Sequence, residues 1–201
     1  MARDYRMKKR AEVFEETRER ILQATMQLHD IHGVANTSFT QIAERAGVGA
    51  ATVYRHFPTA GELVRACGAH VWQEMRPPTP DAAAEVFAGL ETTDARLERL
   101  VAETDAFYAR GALRLALAGR DRDLVPELEA FLGAVEAGVE ALVREALRLA
   151  APPEPAMQVV IGLMSFPVWS TFARLKIPPG DLPGFKLRMI ACGMAAAVPA
   201  K

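Results

Sequence analysis

Apolar residues recur at helical spacing along nearly the whole chain. We find no run of alternating apolar and polar residues bounded by turn signals, so we expect no β-sheet. The pattern therefore predicts an all-α protein. Its first stripe predicts a helix over about 13–32, ended by Gly33, and comprises Phe14, Thr17, Ile21, Ala24, Leu28 and Ile31.

Two short helices are predicted next, over 38–46 and about 49–57. Ser38 and Gln41 have the spacing of a capping box at the start of the first helix, and Gly47 ends it. Pro58 disfavours helical geometry at Phe57 and so ends the second. Two short helices joined by a Gly-Val turn indicate a helix-turn-helix over about 38–57.

A fourth helix is predicted to begin after Thr59 and to run to about residue 75. The segment Pro77–Pro80 then interrupts the chain. Further helices are predicted at about 82–90, 94–109, 111–119, 124–150, 155–175 and 182–198. We expect an N-terminal arm with the helix-turn-helix domain over 1–60, and a helical-bundle domain for regulation, ligand binding and dimerisation over 61–201.

Charge adds only a small asymmetry to this picture. Residues 1–76 carry 11 Lys/Arg and 9 Asp/Glu, and the first ten residues include five basic side chains, Arg3, Arg6, Lys8, Lys9 and Arg10. A basic arm of this kind points towards nucleic acid. An ordinary solvated tail explains the same charges and is favoured on charge alone.

Two cysteines, Cys67 and Cys192, lie far apart and form no C-x-x-C pair. They indicate a reducing compartment, so we expect a cytoplasmic protein, nucleoid-associated when bound to DNA. The stretch 156–173 contains no charged residue and approaches membrane-spanning length, but polar residues and Pro167 interrupt it. We interpret it as a buried interface helix and expect no membrane partner.

The second helix of the motif carries the candidate chemistry. Gly49, Ala50 and Ala51 are small, so the backbone can approach a DNA major groove closely. Thr52, Arg55 and His56 face away from the apolar positions and suit base or phosphate contacts. A pair of short core helices with a solvated polar face would show the same periodicity.

The segment from Thr37 to Leu63, TSFTQIAERAGVGAATVYRHFPTAGEL, resembles the DNA-binding domain of the TetR family of bacterial transcriptional regulators. The resemblance covers about residues 21–71. It implies a three-helix DNA-binding domain, a helical regulatory domain and a homodimer paired through its last two helices. The implied DNA-binding residues are Thr37, Ser38, Thr40, Gln41, Gly49, Ala50, Ala51, Thr52, Tyr54, Arg55, His56 and Thr59.

Within that set, Thr37, Tyr54 and His56 correspond to phosphate contacts of the family. Three positions depart from the family pattern. Ala60 replaces a frequent lysine that can reach a phosphate, Gly49 replaces a frequent serine N-cap, and His29 stands where a core phenylalanine is common. These departures affect single contacts and leave the predicted fold unchanged.

The resemblance also implies the partners. A two-fold dimer would read the two half-sites of a palindromic double-stranded operator. The candidate dimer stripe is Met157, Val160, Ile161, Met164, Val168 and Phe172, beside a thin last helix rich in Ala191, Gly193, Ala195, Ala196 and Ala197. Burial within one subunit is the alternative for this stripe.

A small apolar or amphipathic effector is expected in the second domain. The candidate ligand-binding residues are Trp72, Met75, Phe87, Phe107, Tyr108, Leu113, Leu117, Phe131, Met164 and Trp169. Each of them is equally explained as ordinary core. Tyr108 and Trp169 are favoured because each has a polar group that can orient a ligand.

These features predict a repressor that its effector releases from DNA by tilting the helix at 60–75. An activator, a redox-responsive regulator acting through Cys67, and a purely protein-binding helical module are the alternatives. No enzyme motif occurs, and no carboxylate or cysteine pattern completes a metal site with His29 and His32. We therefore expect no enzymatic activity, no metal and no cofactor.

Overall fold

The computed structural model describes residues 2–178 and 180–196, with side chains described for 6–178 and 180–195. The described residues are helical with connecting turns and contain no β-strand, which confirms the predicted all-α class. The helices are α1 (Ala2–His32), α2 (Phe39–Ala46), α3 (Ala50–His56), α4 (Ala60–Met75), α5 (Ala83–Val86), α6 (Thr93–Asp121), α7 (Pro126–Ala146), α8 (Glu154–Leu163), α9 (Phe166–Phe172) and α10 (Leu182–Ala196). A short 3₁₀ turn, Pro80–Ala82, precedes α5.

The chain divides into two compact units. The first comprises the residues up to Glu74 together with Ala116–Phe131, and the second comprises Met75–Leu115 together with the residues from Leu132 onwards. The first unit thus holds α1 to α4, the end of α6 and the start of α7. The second unit holds the remaining helices.

The core of the first unit lies where α1, α2, α3 and α4 meet. Its members are all apolar and almost fully buried, so they remove most of the apolar area of these short helices from water. They include Ile21, Leu22, Met26, Leu28, Ile42, Ala43, Val53, Phe57, Leu63 and Cys67. In α1 the core includes Leu22 and Met26, which lie off the predicted stripe, whereas Phe14 and Ile31 of that stripe are exposed.

Helix α1 begins eleven residues before the predicted start at residue 13. The apolar stripe that set the prediction begins at Phe14, but the residues before it are mostly good helix formers and include no glycine or proline. They continue the helix, and those whose side chains the structure describes, 6–13, are all exposed. The side chain of Arg3, part of the predicted basic arm, lies outside the described residues.

Helix α6 is continuous, although two helices were predicted over 94–109 and 111–119. The prediction placed a break between residues 109 and 111, whereas Gly111 lies inside the helix. A Cβ at Gly111 would stand 2.2 Å from Cε of Met75, so a larger residue would displace that side chain. The glycine is a packing residue of the second unit and not a helix terminator.

The predicted helix over 155–175 is two helices, α8 and α9, bent by 50° relative to each other. The break falls at Met164–Ser165, because Pro167 stands in the first turn of α9 and cannot continue the hydrogen-bond ladder of α8. Among the described residues, no single helix is long and apolar enough to cross a membrane, although α8 and α9 taken together pass on length and composition. The predicted end of the last helix at residue 198, with Ala197, lies outside the described residues.

Candidate nucleic-acid interface

The turn between α2 and α3 has the geometry of a helix-turn-helix. Gly47 adopts a left-handed conformation with φ 65° and ψ 39°. The amide of Val48 donates to the carbonyl of Ala43 at 3.0 Å, which is the hydrogen bond of a Schellman motif. These bonds satisfy the free carbonyls at the end of α2 and direct the chain into α3.

The start of α2 is fixed by the predicted capping box. The backbone amide of Ser38 donates to Oε1 of Gln41 at 2.8 Å, and the amide of Gln41 donates to Oγ of Ser38 at 3.3 Å. Both side chains are exposed but engaged with each other. They therefore fix the start of α2, and either side chain would contact DNA from this capping geometry.

Helix α3 is attached to the core through one apolar side. Val53 is fully buried and Phe57 nearly so. Gly49 caps the helix without a side-chain hydrogen bond, because it has no side chain to accept one. The opposite side of α3 therefore faces away from the core.

The exposed side of the helix-turn-helix carries most of the predicted DNA-binding residues. Ser38, Thr40, Gln41, Gly49, Ala50, Ala51, Tyr54, Arg55 and Thr59 are exposed, and Thr37, Thr52 and His56 are half-buried. No Cβ contact lies within 4 Å of Gly49, so the N-terminal end of α3 is open on this side. The structure thus brings these twelve positions to one short helix pair and its flanking turns.

Two of the predicted contacts are also hydrogen-bonded within the protein. The hydroxyl of Thr37 donates to the carbonyl of Gly33 at 2.8 Å, and Oγ1 of Thr59 accepts from the amide of Glu62 at 3.2 Å. Tyr54 packs against Phe39 of α2, with ring centroids 4.7 Å apart, and remains 56% exposed. Arg55 is exposed on the same helix and leaves its guanidinium directed at solvent.

His56 lies in a different setting from the rest of the set. Its ring packs against that of Phe14 of α1, with centroids 4.0 Å apart and ring planes inclined by 34°. Neither ring nitrogen has a hydrogen-bond partner among the described residues. Burial lowers the pKa of His56, and the positive charges of Arg55 and Arg18 lower it further, while Glu15 opposes them. The imidazole is therefore neutral near neutral pH and packs as a ring.

The predicted ligand-binding residues fall in both units. In the first unit, Trp72 meets Phe131 edge to face with centroids 5.8 Å apart. In the second unit, Tyr108 lies 5.0 Å from Phe107 and 5.6 Å from Trp169. Met75 and Phe87 are buried in the second unit, whereas Leu113 is 56% exposed. Leu117 is half-buried in the first unit.

Sequence reasoning missed one member of the aromatic cluster in the second unit. Phe166 lies 5.4 Å from Tyr108 and 5.8 Å from Trp169 by ring centroids. Its spacing of three residues from Trp169 was a usable signal once a helix start at Pro167 is recognised. The hydroxyl of Tyr108 donates to the carbonyl of Met164 at 3.0 Å. This hydrogen bond satisfies a carbonyl at the break between α8 and α9.

A surface cavity of about 450 Å³ lies elsewhere in the second unit, around Phe87, Arg96, Glu145 and Arg148. Arg96 is buried at its floor and donates to the carbonyls of Phe87, Leu90, Glu145 and Ala146, and it pairs with the Glu145 carboxylate at 2.6 Å. Its guanidinium is therefore engaged by the protein itself. Phe87 is the only predicted ligand-binding residue among the described lining of this cavity.

The fold and the exposed face of α3 define a helix-turn-helix DNA-binding protein. Residues 21–67 match the sequence pattern of the family described as "Bacterial regulatory proteins, tetR family". Residues 21–67 therefore carry the DNA-binding domain of the TetR family, as the resemblance predicted, and similarity to transcriptional regulators over most of the chain supports the same family.

Similar proteins agree with this assignment. The HTH-type transcriptional regulator SrpR of Pseudomonas putida is 26% identical, over 86% of this chain and 91% of SrpR. An uncharacterised HTH-type transcriptional regulator of Mycobacterium tuberculosis is 29% identical, over 75% of this chain and 78% of that protein. Both relatives are named as HTH-type transcriptional regulators.

Two solved structures share the fold at lower identity. A HlyIIR mutant protein has a TM-score of 0.60 at 17% identity, covering 89% of this chain and 97% of its own. The flavonoid-responsive regulator FrrA has a TM-score of 0.54 at 19% identity, covering 91% of this chain and 95% of its own.

Proposed function

We propose that this protein is a homodimeric repressor that binds a palindromic operator through α3 and is released by a small apolar or amphipathic effector. The observation that carries the proposal is the exposed surface of α3. Small residues, Gly49 to Ala51, stand at its start, and the exposed Arg55 follows one turn later. A helix of this kind can enter a major groove closely and present a guanidinium to base edges or phosphates.

Within this proposal the residues have distinct roles. Ala50, Ala51 and Thr52 face the groove floor with Arg55, and an alanine methyl suits contact with a thymine methyl. Thr40, Tyr54 and Thr59 flank them and suit phosphate contacts. Thr37, Ser38 and Gln41 hold α2 in place and contribute contacts from their capped positions. His56 contributes mainly by holding α3 against α1.

We propose a homodimer because the recognition helix of one subunit is short. One short helix reads too few base pairs for specificity, and two half-sites one helical turn apart require two-fold symmetry. Met157, Val160 and Met164 of the predicted stripe are buried within the protomer. The dimer surface we propose therefore uses the exposed positions of α8 and α10, which are Val159, Phe185, Ala191, Cys192 and Ala195.

The effector site we propose is the aromatic cluster of the second unit. Tyr108, Phe166 and Trp169 give three aromatic faces, of which Phe166 and Trp169 are half-buried. An apolar or aromatic ligand suits such a surface. FrrA, which has the same fold, is a flavonoid-responsive regulator, which supports the idea that the fold can serve an aromatic effector.

Release from DNA requires that the effector favours one of two states. We propose that α4 tilts between them and changes the spacing of the two recognition helices. We keep residues 1–60 as the DNA-binding domain and 61–201 as the regulatory and dimerisation domain in this scheme. The location we propose is cytoplasmic, since the partner is chromosomal DNA.

The redox alternative has little support. Cys67 is 3% exposed and belongs to the core of the first unit, whereas a sensor thiol needs solvent access. Activation instead of repression remains the second candidate and depends on where the operator lies relative to the promoter. A reporter that keeps the operator at its natural position relative to the promoter separates the two, because repression lowers and activation raises its output.

The test begins with selection of a duplex from a randomised pool by the full-length protein, followed by binding isotherms on the selected and on a scrambled duplex. Arg55→Ala should cost about 1–3 kcal/mol on the selected duplex and relax its sequence preference. Arg45→Ala is the matched control. Arg45 lies on α2 and its Nε donates to Gln27 of α1 at 2.9 Å, so it is held away from α3. Failure to enrich any duplex would refute the proposal.

The effector site is tested by tryptophan fluorescence in a Trp72→Phe background, where Trp169 is the single tryptophan. A flavonoid panel serves as the probe. We expect quenching by a binding compound and a fall in operator affinity at the same concentrations. A compound that quenches Trp169 without changing operator affinity would contradict release by that site.

A further inference from the structure

The first half of α1 projects from the core of the first unit. Helix α1 spans Ala2–His32, but its buried positions begin only at Ile21. Residues 6–16 are all exposed, and Thr17 and Arg18 are half-buried. At 1.5 Å per residue, residues 6–20 form an arm of roughly 20 Å that no part of the domain core explains.

Two contacts fix which side of this arm faces the recognition helix. The Phe14 ring lies 4.0 Å from that of His56 at the end of α3. One turn later, the guanidinium of Arg18 lies 4.8 Å above the ring of Phe57. The side of α1 that carries Phe14 and Arg18 therefore lies against the C-terminal end of α3.

Three arginines lie on this side. Arg6, Arg10, Phe14 and Arg18 are spaced four residues apart and form one ridge along the helix. Glu12, Glu16 and Glu19 lie at positions of the opposite side, which turns towards α4, since Glu19 lies 3.8 Å from His70 of that helix. Glu15 lies beside the ridge, where its charge opposes the lowering of the His56 pKa. The Phe14 side of the arm thus carries three arginines and one flanking carboxylate.

We propose that this arm is a second DNA contact, in which Arg6 and Arg10 bind phosphates flanking the base pairs that α3 reads. The inference rests on the proposed DNA-binding function and adds a surface to it. The arm is continuous with α3 through Phe14 and His56, and its arginine ridge complements the phosphate backbone. By the rise of the helix, Arg6 lies about 12 Å beyond Phe14, which reaches past the recognition helix along the duplex.

In an ordinary solvated tail, nothing would favour placing the arginines on one ridge of the helix. The arm carries four cations within residues 6–10, of which Lys8 and Lys9 lie away from the Phe14 side. These two lysines provide a charge-matched control within the same exposed segment. Both pairs can be replaced without touching a buried residue, so the variants should fold as the parent does.

The test compares Arg6→Gln/Arg10→Gln with Lys8→Gln/Lys9→Gln in the full-length protein. Affinity for the selected duplex and for a scrambled duplex is measured between about 50 and 200 mM salt. Loss of two phosphate contacts should reduce the slope of log affinity against log salt by about 1.8, and the lysine pair should change it by less than about 0.5. The arginine pair should weaken binding to both duplexes alike, since phosphate contacts carry no sequence information.

An unchanged slope in the arginine variant would overturn the proposal, and so would an equal change in both variants, which would indicate diffuse charge. A second readout is hydroxyl-radical footprinting. The parent should protect sugars outside each half-site, and the arginine variant should lose only that protection. If the parent selects no duplex at all, the proposed DNA-binding function fails. If it does and Arg6 and Arg10 do not matter, only the arm fails.

Discussion

Asp121, the last residue of α6, accepts a hydrogen bond at 3.1 Å from the backbone amide of Ala35, which lies in the turn between α1 and α2. Beside it, the guanidinium of Arg120 donates to the carbonyl of His32 at 2.8 Å and to the Asp121 carboxylate. The end of α6 thus closes the turn that leads into the helix-turn-helix. Chain segments far apart in sequence are joined here by charge-assisted hydrogen bonds, which are among the stronger ones in proteins.

Asp121→Ala should destabilise the first unit, because it leaves the Ala35 amide without its acceptor and Arg120 without its carboxylate. Asp121 is only 2% exposed, so water does not replace it readily. We expect a loss of about 1–3 kcal/mol in the free energy of unfolding, measured in urea. Glu98→Ala, at an exposed position of the same helix, is the control and should change little. Equal stability of both variants would contradict this role of Asp121.

The same carboxylate should contribute to acid sensitivity. Hydrogen bonds from Arg120, and less strongly from the Ala35 and Val34 amides, hold the pKa of Asp121 below its ordinary value. Its stabilising contribution is therefore present above the unfolded-state pKa and is lost as the pH falls through the folded-state pKa. In urea titrations across pH, Asp121→Asn should flatten the most acidic part of the stability profile. An unaltered acidic limb would exclude this contribution.

Gly33→Ala should destabilise the protein by more than the usual cost of a glycine replacement. Gly33 has φ 86°, where an L side chain is strained, and a Cβ there would stand 1.9 Å from Arg120 Nη2 and 2.5 Å from Asp121 Oδ2. The strain alone costs about 1–2 kcal/mol, and the displaced ion pair adds to it.

Gly119→Ala is the matched control for Gly33→Ala. Gly119 lies within α6, and a Cβ there would meet nothing within 4 Å. This variant should gain up to about 1 kcal/mol from helix propensity. Thermal melts of the two variants should therefore move in opposite directions. A shift of the same sign in both would show that Gly33 is not required for the Arg120–Asp121 contact.

His29→Phe should make stability less dependent on pH. Burial lowers the pKa of His29 from 6.5 to about 4, against the raising effects of Asp30 and Asp121. Because the unfolded chain binds this proton more readily, stability falls as the pH decreases from about 6.5 to about 4. The variant should gain about 2–3 kcal/mol over the parent across that range. At pH 8 the imidazole is neutral in both the folded and the unfolded chain. The difference in unfolding free energy between variant and parent at that pH therefore reports packing alone. A constant difference from pH 8 to pH 4 would rule the titration out.

Tyr108→Phe should weaken the junction between α8 and α9. The Tyr108 hydroxyl is the donor to the Met164 carbonyl at the end of α8, and burial, followed by the charge of Glu136, raises the pKa of this phenol. Removing the hydroxyl should cost about 1–2 kcal/mol in urea unfolding. Tyr54→Phe, at a 56% exposed position on α3, should cost almost nothing. A similar loss in both would argue against the Met164 hydrogen bond.

The helix-turn-helix was largely predictable because its signals are local. The Ser38–Gln41 capping box, the left-handed Gly47 and the stop at Pro58 each act within a few residues, and the structure contains all three. Local hydrogen bonds and φ preferences do not depend on what the rest of the chain does. The short apolar faces of α2 and α3 then leave only one side for the core.

The sequence did not reveal contacts that a glycine, a proline or a ring makes with a distant residue. The break predicted before Gly111 is absent, and the contact with Met75 that requires a small residue there joins positions far apart in sequence. The phosphate contact of His56 stays a prediction, and no local pattern indicated that its ring packs on Phe14. Phe166 joined the Tyr108 cluster only because α8 and α9 bend apart at Ser165.

The sequence by itself determined the all-α class, the positions of α2 and α3 and the small, basic character of the recognition surface, because side-chain periodicity and capping are encoded over short ranges. Tertiary structure alone decided that Asp121 closes the turn at Ala35, that Gly33 must lack a side chain there, and that Phe14 and Arg18 of α1 pack at the C-terminal end of α3. These contacts join residues that are too far apart in sequence for any local pattern to indicate them. They exist only once packing brings the segments together.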